Sequence, residues 1–149
     1  MNIVAPISSI MSTNLITVAP EDTLERVKEL LDSHNIHHLP VVDGPEIVGI
    51  VSSTDFRHFM RGFARNQTDQ LTEQVRLRAW KVQDIMTKGL AKVEAEDPIR
   101  TALEIFKTNR IHALPVVRNY TELVGIITTY DIIRKLAEEP IRLEDYRNN

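Results

Sequence analysis

A chain of 149 residues, 42% hydrophobic and 26% charged, has the composition of an ordinary globular protein and the length of one compact domain or two small ones. Its net charge is −3, and the absence of cysteine excludes disulfides, thiolate catalysis and thiolate metal sites. No stretch reaches the roughly 18 uninterrupted apolar residues of a membrane span, and residues 1–20 lack the charged start and apolar run of a signal peptide, so the expected address is the cytoplasm.

In chain order, Ile10-Met11 leads into a short extended piece at 15–18 and then a helix expected from near Asp22. Leu24, Val27, Leu30 and Leu31 have the spacing of one buried helical stripe, and Asn35 is placed to end it in a left-handed conformation. Two strands follow at 39–42 and 47–51, and the Gly44-Pro45 turn between them predicts a hairpin. A second helix starts near Ser52. Its stripe of Phe56, Phe59, Met60 and Phe63 runs into a polar stretch at 65–70, then Leu71, Val75 and Trp80, which reads as one long helix or as two broken near Asn66. Within 56–81, six basic residues meet two acidic ones, a net of +4 that leaves −7 elsewhere. The plainer reading is a solvated helical face; a surface for an acidic partner or nucleic acid is the other.

The whole unit then repeats. Ile85-Met86, Glu96-Asp97 and Leu114-Pro115-Val116-Val117 restate Ile10-Met11, Glu21-Asp22 and Leu39-Pro40-Val41-Val42 at an offset of 75. Gly125-Ile126-Ile127-Thr128-Thr129-Tyr130-Asp131 restates Gly49-Ile50-Val51-Ser52-Ser53-Thr54-Asp55 at 76, the extra residue falling in the hairpin turn. The second copy has an extended piece at 90–93 and a helix from near Asp97, with Pro98 expected at its first position. The stripe is Ile99, Ala102, Ile105 and Phe106, and Asn109 is the expected left-handed stop. Strands at 114–117 and 123–127 precede a helix from near Thr128, carrying Ile132, Ile133 and Leu136 and ended by Pro140; a charged tail, 141–149, closes the chain.

The prediction is therefore an α/β (α+β) protein made of two tandem β-α-β-β-α units: residues 1–62, a connecting helical segment 63–80, and 81–149. A unit of about 60 residues buries only ~60% of its unfolded surface, so the copies are expected to share a core and fold together. Their strands alternate little, which predicts a sheet covered on both faces.

Catalytic signatures do not turn up: no Gly-rich phosphate loop, no Gly-x-Ser-x-Gly elbow, no His-Glu-x-x-His and no calcium loop, so no enzyme is expected. His37 and His38 are adjacent, so in an extended segment they point to opposite sides, and no metal ligand set is assigned. The block Gly-h-h-Ser/Thr-x-x-Asp (h apolar) occurs once per copy, and its plain reading is a helix capped by Ser52 or Thr128 with Asp55 or Asp131 three residues on. The same geometry offers chemistry, because a carboxylate that only accepts hydrogen bonds suits the two hydroxyls of a ribose, and free N–H groups at a helix start attract an anion. Before each proline lie Asn35-Ile36-His37-His38 and Arg110-Ile111-His112-Ala113. Extended geometry would put Asn35 with His37, and Arg110 with His112, on one side, where guanidinium and imidazole suit a phosphate.

The doubled Ile-Met start, amphipathic helix, Ile-His-x-Leu-Pro-Val-Val and Gly-Ile-h-Ser/Thr-x-x-Asp resemble a pair of CBS domains, the Bateman module, over about residues 7–136. The resemblance implies two repeats packed through their sheets about a pseudo-twofold axis, with clefts for adenosine-type ligands such as AMP, ADP, ATP or S-adenosylmethionine. It also implies a homodimer, a role in regulation or energy sensing with output through an unknown effector protein, no required cofactor and no membrane contact. Asp55 and Asp131 match the ribose acids, Ser52 and Thr128 the hydroxyl positions, and His37, His38, Arg110 and His112 the basic positions. Ser12 and Thr17 would close the Asp131 cleft, Thr87 and Lys92 the Asp55 cleft. Lys92 and Arg110 make the Asp55 cleft the expected site for phosphorylated ligands, and Ala113 where His38 stands in the first copy predicts unequal clefts. Two other readings stand beside this one: a ligand-free structural or protein-interaction module, and nucleic-acid binding through the basic linker, which the acidic total and lack of interleaved aromatics weigh against.

Overall fold

The computed structural model describes residues 1–61 and 70–140. A 3-10 turn at Ile7–Ser9 is followed by α1 (Leu24–His34), β1 (His38–Asp43), β2 (Glu46–Ser52), α2 (Ser53–Arg61), α3 (Gln70–Ala79) and α4 (Val82–Ile85). The second copy continues with β3 (Val93–Glu94), α5 (Ile99–Asn109), β4 (Ala113–Arg118), β5 (Glu122–Thr128) and α6 (Thr129–Ala137). Whether α2 and α3 are continuous, Phe63 on the expected stripe, and the tail at 141–149 all lie outside the described residues.

Both long helices begin two residues later than expected. Asp22 and Asp97 close the preceding turns instead, their carboxylates accepting from the N–H groups of Ala19 at 2.8 Å and Glu94 at 2.9 Å. Pro98 accordingly sits at the N-cap of α5, extended at φ −65° and ψ 146°, and not at the first helical position. Asn35 ends α1 in the left-handed region as expected, but α5 ends on Arg110 (φ 52°) and not on Asn109. The Asn109 amide is otherwise engaged, donating to the carbonyl of Ile105.

Hairpins β1–β2 and β4–β5 share one register, each with a bulge at the same place, between Val41 and Val42 and between Val116 and Val117. They join edge to edge through the pair Glu46–Glu122, giving one sheet of order β1-β2-β5-β4-β3. β2 alternates between buried and half-covered residues, so its second face is less enclosed than the uninterrupted apolar run suggested.

The copies do not share one core. Among the described residues there are two clusters, and each contains a residue from the other copy's leading segment. Val82 is buried among Leu24, Val27, Leu39 and Val51, while Ile7 is buried among Val93, Ile99, Leu114 and Ile127. Matched backbone bonds hold the exchange: Ile7 N–H to Asp97 O and Val82 N–H to Asp22 O, both 2.8 Å. Each small core is thus completed by its neighbour, which meets the size limit by exchange of segments and not by fusion.

Candidate functional site

The exchanged leads also build the site. Ser12 forms an antiparallel bridge to Ile126 in β5 with bonds of 2.9 and 3.0 Å, and Thr87 bridges Ile50 in β2 with bonds of 2.9 and 3.1 Å. Ser12 therefore lies beside the strand that ends at Thr128, and Thr87 beside the strand that ends at Ser52. The lead can come this close only because the facing residue has no side chain. A Cβ on Gly125 would sit 2.5 Å from Met11 Sδ, and one on Gly49 would sit 2.6 Å from Met86 Sδ. The Met of each Ile-Met pair covers the Gly that opens the opposite copy's Gly-h-h-Ser/Thr-x-x-Asp block.

A cleft of about 450 Å³ opens between the lead of the first copy, its pre-strand segment and the start of α6. Leu15, Ile16, Ile36, Pro40 and Ile126 contribute apolar wall. Ser12, His37, His38, His112, Thr128 and Asp131 contribute polar groups, so six of the twelve expected site residues meet here. Thr17 is exposed and is replaced at the wall by its neighbour Ile16. Ser52, Asp55, Thr87, Lys92 and Arg110 do not line this cleft; Asp55, Thr87, Lys92 and Arg110 are exposed and Ser52 is half-buried. Asn35 and Arg110 are both left-handed, not extended; Asn35 and His37 nevertheless line the same cleft, in keeping with the side they were expected to share, whereas Arg110 does not join His112 there. His37 and His38 were expected on opposite sides; both reach the cleft, because β1 starts only at His38 and His37 occupies a bend.

The two acids, alike in sequence, have different surroundings. Asp131 is 5% exposed, and its Oδ2 accepts from Thr128 N–H at 2.8 Å and from the Thr128 hydroxyl at 2.6 Å. Thr128 Oγ1 accepts in return from Asp131 N–H at 3.1 Å, completing a capping box. Oδ1 meets Arg134 at 3.4 Å and retains room to accept again, since an ionised carboxylate offers about four lone-pair positions. Arg134 escaped the sequence reading; its signal is position, three residues after Asp131 on the same helix, where the first copy has His58. Asp55 is exposed, and its N–H donates to Ser52 Oγ at 3.0 Å.

The helix starts are less available to an anion than expected. Ser53 N–H donates to His37 O at 2.8 Å and Thr129 N–H to His112 O at 3.0 Å, while the N–H groups of Asp55 and Asp131 are taken by their caps. Two of the first three donors of each helix are thus committed, and charge recognition falls to side chains. Of these, His38 is held below the ordinary imidazole pKa of 6.5, first by burial and then by His37 and His112, with Asp55 pulling the other way.

The family model for the CBS domain matches residues 7–62 and again 82–138. The chain belongs to the CBS domain family. A curated CBS domain-containing protein of Dictyostelium discoideum is 29% identical over 140 residues, covering 91% of this chain and 94% of that protein. An inosine-5'-monophosphate dehydrogenase of Korarchaeum cryptofilum is 35% identical over 124 residues, 83% of this chain; the CBS pair spans only 22–23% of the length of the dehydrogenases it matches. Among solved structures, the CBS domain pair of protein MJ0100 in complex with 5'-methylthioadenosine and S-adenosyl-L-methionine is 27% identical, with a TM-score of 0.72 over 90% of this chain and 97% of that one. That CBS pair is thus a ligand-bound one, and in the dehydrogenase the matching stretch is a minor part of a longer enzyme.

Proposed function

We propose that this CBS pair is a non-catalytic regulatory module whose Asp131 cleft binds an adenosine-type ligand. The observation that carries the reading is a cleft of about 450 Å³, within the ~300–1,000 Å³ of small-molecule sites, that joins a buried carboxylate to an apolar wall and a histidine cluster. The base lies against Ile16, Ile36 and Ile126, and the ribose hydroxyls donate to Asp131 Oδ1. The 5'-substituent points to His37, His38 and His112. The complex of a 27% identical CBS pair with two adenosine derivatives supports this chemistry. The Asp55 set, with Ser52, Thr87, Lys92 and Arg110, is proposed as a second and more open position. Output passes to an effector, in another chain or in a longer polypeptide, when one arrangement of the repeats binds the ligand better than another.

Isothermal titration with AMP, ADP, ATP and S-adenosylmethionine, on protein freed of copurified ligand, tests the reading; no heat with any of the four overturns it. Asp131→Ala should lower affinity at least ~10-fold, the loss of about one charge-assisted hydrogen bond. The closed capping box at Thr128 and Asp131 favours the interaction-module reading instead, under which Asp131→Ala costs only about 1 kcal/mol of helix stability and changes no binding. A homodimer is proposed on the same footing: Tyr130, Ile133 and Leu136 leave α6 with an exposed apolar face, and light scattering reads the mass directly. Among the described residues no helix is long and apolar enough to cross a membrane, and we place the protein in the cytoplasm.

A further inference from the structure

The permanent charges of the Asp131 cleft nearly cancel. Among the described residues that line it, Asp131 and Arg134 are the acid and the lasting cation, and they face each other at 3.4 Å. Asp55 adds a negative charge within electrostatic reach of His38. What remains is three imidazoles in the lining of a single cavity, His37 and His112 both within electrostatic reach of His38, each worth one positive charge when protonated and none when neutral. Protonation of these rings therefore takes the lining from about neutral to cationic.

We infer that His37, His38 and His112 act together as the specificity determinant of this cleft, selecting adenosine derivatives with an anionic 5'-group when protonated and uncharged or cationic ones when neutral. The inference rests on the nucleoside reading above and deepens it. Burial and its two imidazole neighbours disfavour the proton on His38 in the empty cleft. An anion seated among the three rings reverses that balance, because it supplies the counter-charge that burial removed. Anion binding and proton uptake are then one event, and affinity rises as pH falls, by at most about tenfold per pH unit for each proton taken up. The committed helix N–H groups leave few main-chain donors to give the anion a pH-independent hold. The ribose contact at Asp131 is held by Thr128 and Arg134 and does not involve the three rings.

The probe must keep its own charge constant. A phosphate monoester has a pKa near 6. Adenosine 5'-sulfate remains an anion at every pH used, and 5'-methylthioadenosine is its uncharged counterpart. Isothermal titration of the full chain at pH 6, 7 and 8, in buffers of differing ionisation enthalpy, gives affinity and protons taken up. The expected result is sulfate-ester binding about tenfold or more tighter at pH 6 than at pH 8, with about one proton absorbed, while 5'-methylthioadenosine does not gain as pH falls. Replacing all three residues (His37→Gln, His38→Gln, His112→Gln) should abolish the proton uptake, with circular dichroism at pH 8 reporting that the variant is folded. If the variant does not fold, the comparison of the two ligands on the unaltered chain decides alone. Binding of both ligands with a constant affinity ratio, or proton uptake surviving in the triple variant, overturns the histidine assignment and leaves the nucleoside reading standing. Binding of neither at any pH overturns both.

Discussion

Substituting Gly49 by Ala tests the interlock that holds the two copies together. The added Cβ would lie 2.6 Å from Met86 Sδ, 3.0 Å from its Cγ and 3.2 Å from its Cβ. Carbon contacts prefer about 3.5–4.0 Å, so the overlap with sulfur is roughly an ångström. The sulfur is the far end of a flexible side chain and can swing away, but Met86 Cβ moves only with its backbone. That backbone is held next door by the two bonds between Thr87 and Ile50, at 2.9 and 3.1 Å. Overpacking of this kind costs about 1–3 kcal/mol. Met86→Ala removes the clash and also a partly buried side chain, at a cost of about 1–2 kcal/mol, below the usual range for a fully buried one. In urea unfolding the double variant should be less destabilised than the sum of the singles by about 1–2 kcal/mol. Strict additivity, or a Gly49→Ala cost below about 0.5 kcal/mol, would refute the close contact as a structural requirement. Gly125→Ala should cost at least as much, because there the third neighbour, Ser12 O at 3.1 Å, is main chain.

Arg110→Gly should raise stability by about 0.5–1 kcal/mol, since a non-glycine residue at φ 52° carries left-handed strain that Gly does not. Measured by urea unfolding, a loss would show that the Arg110 side chain makes a stabilising contact; a fall in anion affinity in the same variant would support its place in the proposed second position. For His38, whose folded-state pKa is lowered, the unfolded chain takes up the proton first as pH falls. Stability is therefore fully present above about pH 6.5, declines below it by at most ~1.4 kcal/mol per pH unit, and levels off once the folded state also protonates. His38→Gln should flatten that slope, and an unchanged slope would assign it elsewhere.

The elements were legible because their signals are local and doubled. The stripe Leu24, Val27 and Leu30 is buried as its spacing implied, and the Gly44-Pro45 turn closes the hairpin it suggested. The errors are one or two residues wide and have local causes. Asp22 and Asp97 are equally good helix starters and turn formers, and only the turn geometry decides between them. Asn109 has the better left-handed propensity, yet its amide bonds back into α5 and the reversal falls on Arg110. The shared core was misjudged for a different reason. Size requires that each unit find partners outside itself, but it does not say which residues cross over, and Ile7 and Val82 look like ordinary apolar residues ahead of their own repeats.

The site shows the same division more sharply. Asp55 and Asp131 sit in nearly identical motifs, so the motif alone predicts two equal acids, and the structure buries one and exposes the other. A difference was written in the chain, three residues downstream, where Asp131 meets Arg134 and Asp55 has His58. A buried carboxylate that keeps its charge needs such partners, whereas an exposed one relies on water. The asymmetry expected from Lys92 and Arg110 therefore appears at Arg134 and at the histidines, because both expected cations stand exposed outside the described cleft. In a tandem repeat, the shared motif locates the pockets, while the residues that break the repeat decide what each pocket can hold.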